Sequence, residues 1–394
     1  MAALGYNRRV IASAPWDLAP HLPWQHFTSP LAKWAVQPSF VLGEYMFYAC
    51  TILALIHAKR QGREHLLVWL AALIAGTAND MIFMALPLVD NFWQAQATIM
   101  ITPRLPLYIP CVYVCFMYFP TVAVRRLRLP PLGLAAATGL VACLFYAPYD
   151  IVGAKFSWWT WHDTDMPIAV RLLGAPVGSS LWVLTFVGTF AFLLDRGIAR
   201  GKRNAPAGAL PGKAFALTFA LVAGCTSVIM VLQLTVLQQL DGGAPGYRAF
   251  VAGLVIYGAI AAWQWQRAQP DAPAGDELLY GAACFYFATL ALIMALFDPA
   301  THVNTGTHQV VGECYVEAKD ITGMVRYEFL CTSDFDEDYT FECVDAPPAE
   351  GSEWYTVCGK AHTNHPRHLA GVAGLGLLGI MVFSYLIGPL RRRE

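Results

Sequence analysis

The chain has 394 residues, of which 57% are hydrophobic and 13% charged, with a formal net charge of -1. Soluble domains carry roughly 25% charged residues, so an ordinary soluble globule is excluded, and the absence of a basic excess excludes a nucleic-acid binder. Apolar runs close to the ~20 residues needed to cross hydrocarbon predict an all-α polytopic membrane protein of about nine transmembrane helices.

Residues 1–39 hold Trp16, Trp24 and Trp34 among five prolines and lack the charged and apolar regions of a secretory signal. They read as an outer or lumenal interfacial segment. Spans are predicted at 40–58, 66–88, 105–124, 132–149, 175–194, 215–237, 250–265, 278–297 and 369–390. The first eight make a membrane domain over 40–297; residues 298–368 make a soluble cap; residues 369–394 supply the last span and a basic tail.

Basic residues fall on alternate connections. Lys59, Arg60 and Arg63 follow the first span, Arg125, Arg126 and Arg128 the third, Arg196, Arg200, Lys202, Arg203 and Lys213 the fifth, and Arg391, Arg392 and Arg393 the last. The positive-inside rule makes these segments cytoplasmic, with the N-terminus outer or lumenal and the C-terminus cytoplasmic. The cap then lies outside, where Cys314, Cys331, Cys343 and Cys358 can oxidise; three pairings are open. Three of these cysteines end aromatic, nearly alternating runs at 327–331, 339–343 and 354–358. A small disulfide-stapled β-rich domain follows, with a core too small to hold without its bridges.

Ionisable groups inside a bilayer are expensive and mark function. Glu44 lies about one turn into the first span; Asn79 and Asp80 lie in the outer half of the second, where Gly76 and Met84 leave space for a ligand or a close helix. Pairing of Asp80 or Glu44 with Arg104 is the structural alternative. Asp150 ends the fourth span. After it, Trp158 and Trp159 read as an interfacial belt, while Trp161, His162 and Asp163, with Arg171 beyond, place an imidazole beside carboxylates in a pattern suited to proton transfer. Asp298, His302 and His308 sit at the end of the eighth span. The candidate catalytic set is Asp80, His162, Asp163 and His302; the candidate substrate-binding set is Glu44, Asn79, Arg104, Asp150, Trp161, Arg171, Asp298 and His308.

Eight of ten histidines fall on the outer side, and His362, His365 and His368 recur every third residue. Pro366 interrupts them, so they are weak metal candidates and no metal or other cofactor is assigned. Asp334, Asp336 and Asp338 imitate half of a calcium loop, but Tyr339 replaces the required glycine. Nucleotide-binding and hydrolase motifs are absent, as is a lysine within any span.

The block Arg104-Leu105-Pro106-Leu107-Tyr108-Ile109-Pro110, the Trp159 and Trp161 pair, and Gly174-Ala175-Pro176-Val177 leading to Trp182 resemble the layout of carotenoid-biosynthesis membrane proteins that include carotenoid hydratases. The resemblance covers about a quarter of the chain; the cysteine-bearing loop and the last span depart from it. It implies an enzyme acting on an isoprenoid or similar lipid. Two functions are carried forward: acid/base chemistry on a membrane-soluble lipid, and a transporter or receptor binding a small ligand at the same polar site. The partners expected are the bilayer and a lipophilic small molecule.

Overall fold

The computed structural model describes residues 22–388 apart from 87, 90, 163, 164, 206, 207, 270–274, 322 and 336. Asp163, Asp336, His21, Trp16 and the arginine tail from Arg391 lie outside the described residues.

Nine long helices are found among the described residues: α1 (Pro38–Gln61), α2 (Arg63–Ala85), α3 (Tyr108–Arg125), α4 (Pro131–Lys155), α5 (Val177–Arg203), α6 (Gly212–Leu237), α7 (Tyr247–Trp265), α8 (Glu277–Leu296) and α9 (His365–Ile387). Eight are long and apolar enough to cross a membrane; α7 is the other one. Their ends follow local chemistry. Proline opens α1, α4 and α9, where its missing N–H costs nothing. Asp276 caps α8 and Asn364 caps α9 through side-chain oxygens that accept main-chain N–H groups. Only Gly62, at φ 102°, separates α1 from α2, a conformation L side chains avoid.

α3 and α4 form the centre. α3 packs on α1, α2 and α4, while α4 packs on α5, α7 and α9; α8 closes the ring between α1 and α9, and α6 lies across α2 and α5. Aromatic rings fill the middle, with Phe145 stacked on Tyr286 at 4.1 Å between centroids.

At one end, strand β1 (Phe92–Gln94) pairs antiparallel with β2 (Trp159–Trp161), Trp93 opposite Thr160. This ribbon plugs the bundle. Trp158 is fully buried, its ring fitting against Gly43, where a Cβ would lie 2.2 Å away, and its indole N–H donating to Ser39 Oγ at 3.1 Å. Trp159 packs likewise on Gly153. The expected tryptophan belt is therefore corrected for these two: glycine notches on α1 and α4 draw them into the interior.

The cap sits on the plug. Ribbon β3 (Arg171–Leu172) and β4 (Ala175–Pro176) lies at its edge. The main sheet orders β5 (Val303–Thr307), β9 (Trp354–Gly359) and β8 (Tyr339–Thr340), all antiparallel; β6 (Glu317–Lys319) and β7 (Val325–Tyr327) form a separate ribbon. Its core is small, built on Val311, Leu330, Tyr339, Phe341, Tyr355 and Val357. The bridges join Cys314 to Cys331 and Cys343 to Cys358, selecting one of the three pairings. Ion pairs of Lys155 with Asp338 (3.1 Å), Arg171 with Glu337 (2.9 Å) and Arg326 with Asp165 (2.6 Å) bolt the cap to the bundle.

The end opposite the cap collects the basic connections. Arg125 and Lys202 both reach Glu64, at 3.4 and 2.5 Å. His57 joins Tyr118 Oη (2.6 Å) to Asp276 Oδ2 (2.5 Å), which Arg126 also meets at 3.0 Å. Burial works against the Asp276 charge, but hydrogen bonds from His57 and the Leu279 N–H hold its carboxyl below the usual range.

Candidate functional site: two buried acids among tyrosines

Asp80 and Asp150 enter the interior from α2 and α4, and both are buried. Tyr113 Oη on α3 donates to Asp80 Oδ1 at 2.9 Å, leaving Oδ2 buried without a hydrogen-bond partner. The space that Gly76 leaves one turn before Asp80 belongs to Tyr113: a Cβ there would lie 2.3 Å from its ring. Close helix packing thus fills the gap and delivers the phenol to the acid. Ser179 Oγ on α5 donates to Asp150 Oδ2 and also lies 2.7 Å from the Pro176 carbonyl; Asp150 Oδ1 has no partner.

Tyr146, one turn before Asp150, lies within electrostatic reach of both acids. Tyr113 and Tyr146 both pack on Trp182, which stacks on Phe186 with centroids 5.0 Å apart. Tyr149 touches Tyr146 and Trp159, and Tyr108 donates to Gln94 Oε1 of the plug at 2.7 Å. Trp159 and Trp161 have buried indole N–H groups without acceptors. One aromatic layer beneath the plug therefore contains two incompletely satisfied carboxyl groups, and the plug itself carries two spare donors. An unsatisfied buried polar atom costs about 1–3 kcal/mol, so each has to be offset elsewhere in the fold.

The other sequence candidates are fasteners between parts. Glu44 accepts from Tyr48 Oη (2.7 Å), Thr98 Oγ1 (2.8 Å) and the Thr98 N–H (3.2 Å), which ties α1 to the loop before α3. Asn79 accepts from Ser227 Oγ on α6 at 2.8 Å. Arg104 donates to the Phe92 carbonyl at 2.9 Å and lies over the Trp93 ring, within electrostatic reach of Asp80. His302 uses one ring nitrogen on Ser39 Oγ (2.7 Å) and the other on the Asp298 carbonyl (3.0 Å), so its contacts do not include Asp80. Asp298 caps a short 3-10 turn. His308 contacts Thr160 Oγ1 at 3.0 Å, and Gln309 Nε2 lies 3.3 Å from the His162 ring. Burial lowers His302 to about 4 and His308 to about 3. Arg171 is committed to Glu337.

The rings of His362, His365 and His368 gather at 4.8 and 5.1 Å. His365 and His368 each place a nitrogen 2.9 Å from a main-chain carbonyl. No group of three or more His, Cys, Asp or Glu among the described residues is arranged to hold a metal ion.

Sequence reasoning missed Tyr113, Tyr146 and Ser179. The available signal was hydroxyl groups inside spans, aligned with the acids at 108 and 113 in one helix and 146 and 149 in the next. Two apolar grooves, of about 400 and 420 Å³, lie elsewhere: one runs between α6 and α7 past Gln233 and Tyr257, the other lies at Val124, Trp265 and Tyr385.

No curated protein and no solved structure matches the chain. A family model described as a domain of unknown function (DUF7802) matches residues 8–203 and 213–388, through both bundle and cap, and the chain belongs to that family.

Proposed function

We propose that the protein is a membrane enzyme that carries out acid/base chemistry on a membrane-soluble lipid or isoprenoid in the aromatic layer between Asp80 and Asp150. The observation that carries this reading is that each carboxyl group has one oxygen engaged by a hydroxyl and one oxygen free of any hydrogen bond. Engagement fixes orientation, and the free oxygen is the one able to give or take a proton. Asp80, held by Tyr113, would act at one end of the substrate and Asp150, held by Ser179, at the other. Trp159 and Trp161 would supply donors to a polar substituent, and Trp182 and Tyr146 would face its hydrocarbon. The substrate class is the one that the resemblance to carotenoid-biosynthesis proteins implies.

Orientation belongs to the same proposal. Oxidised cysteines at one end and basic connections at the other support an outer or lumenal cap, an N-terminus on the cap side and a cytoplasmic C-terminus. The packed plug of Trp158, Trp159 and Trp161 favours chemistry over passage, because a transported solute would have to cross it.

Extracted lipids and solute uptake, compared between membranes containing the wild type and Asp80→Asn, test this. The expected result is a lipid difference that disappears in the variant with uptake unaltered. Altered uptake with an unchanged lipid profile would instead establish the transporter or receptor. No change in either, with the variant folded, removes the site.

A further inference from the structure

The short helix before α1, Pro30–Val36, is turned inside out. Leu31, Trp34 and Val36 are exposed, at 82%, 46% and 41%, whereas Lys33 is 5% exposed. An apolar outer face of this kind suits contact with lipid, and the lysine points into the protein. Inside, Lys33 Nζ rests 4.9 Å from the Phe40 ring centroid, and it makes no hydrogen bond or ion pair with any described residue. Glu44 is within electrostatic reach, but its oxygens serve Tyr48 and Thr98. Burial pulls the ammonium down to about 7, the behaviour of a cation that lacks a close anion.

Two amides, one of them on the residue that follows the Lys33 helix, have oxygens without donors. Gln37, one turn after Lys33, donates to the Ser157 carbonyl at 2.8 Å, and Asn304 of the cap donates to the same carbonyl at 3.1 Å. That shared anchor fixes both amides and leaves Gln37 Oε1 and Asn304 Oδ1 buried without donors. A ligand for this place needs an anionic oxygen for the lysine and a hydroxyl for the amide oxygens. A carboxylate has no hydroxyl to give. The monoanion of a phosphate monoester has both, since its second ionisation falls near pH 6 and burial favours the lower charge.

We propose that Lys33, Gln37 and Asn304 form a binding site for the phosphate monoester head of a membrane amphiphile, its chain running out along the Leu31 and Trp34 face. The site is separate from the Asp80 and Asp150 layer and stands whether or not that layer is catalytic.

Melting of the purified full chain in detergent, with dioctanoyl phosphatidic acid, dioctanoylglycerol or inorganic phosphate as probes, tests the proposal. Phosphatidic acid should raise the midpoint saturably while the other two do not. Lys33→Met should weaken that response by about tenfold or more, the usual loss for a charge-assisted hydrogen bond, and Asn304→Ala should weaken it less. An equal shift with inorganic phosphate would assign the site to the free anion and overturn the lipid half. No shift in the wild type overturns the proposal, a result that needs no variant to fold. Undiminished binding by both variants also overturns it.

Discussion

Glu44, Asp80 and His302 are all buried ionisable side chains, yet only Asp80 keeps an oxygen unspent. Glu44 is surrounded by donors, and His302 has both ring nitrogens committed between Ser39 and Asp298. A residue that has used its hydrogen-bonding capacity holds parts together; one that has not is available to a substrate. The histidines also make the cap sensitive to acid. His302 and His308 are held at about 4 and about 3, below the ~6.5 of an exposed imidazole. Between those values the unfolded chain binds protons that the folded chain refuses, so stability is full above about 6.5 and falls as pH drops through that window. Protection factors for hydrogen exchange in β5 and β9, which remove the intrinsic pH dependence of amide exchange, should therefore fall between pH 7 and 4, and His302→Gln should blunt the change. Protection factors independent of pH would remove the histidines from this role.

At the level of elements, the spans were legible because hydrocarbon imposes length and apolarity, and their ends were legible only where capping chemistry is local. The last helix starts at His365, four residues before the predicted 369, because Asn364 caps it and Pro366 fits its first turn. The fifth runs to Arg203, beyond the predicted 194, since arginine and lysine extend a helix outside the apolar layer as readily as within it. The cap strands shifted for another reason. The 327–331 run ends its strand at Tyr327, and β5, rich in Thr and Gly, pairs with β9 through tertiary contact that no local pattern announces. The bridges close separations of 17 and 15 residues, worth about 3 kcal/mol each in the chain-entropy account. Around so small a core this decides folding. A membrane-impermeant thiol reagent should leave all four cap cysteines unlabelled until reduction, then label them from the outer side only. Labelling from the cytoplasmic side would invert the orientation.

Over the whole molecule, sequence separates the basic connections from the four cap cysteines, and the structure puts the two groups at opposite ends of the bundle. What could not be read was which polar groups touch one another. His302 and Asp80 both lie toward the cap end of the fold yet differ in partners, while Tyr113, absent from any polar count, is the group that touches Asp80. The family match runs through bundle and cap alike, which fits a cap that seals the plug above the aromatic layer. The central claim is that Asp80 and Asp150 serve one reaction, and a comparison of lipids extracted from membranes holding equal amounts of Asp80→Asn, Asp150→Asn and the double variant addresses it most directly. Groups acting as a unit are non-additive, so each single variant should lose the lipid difference as completely as the double. Retention of the wild-type lipid profile by either single variant would contradict the account.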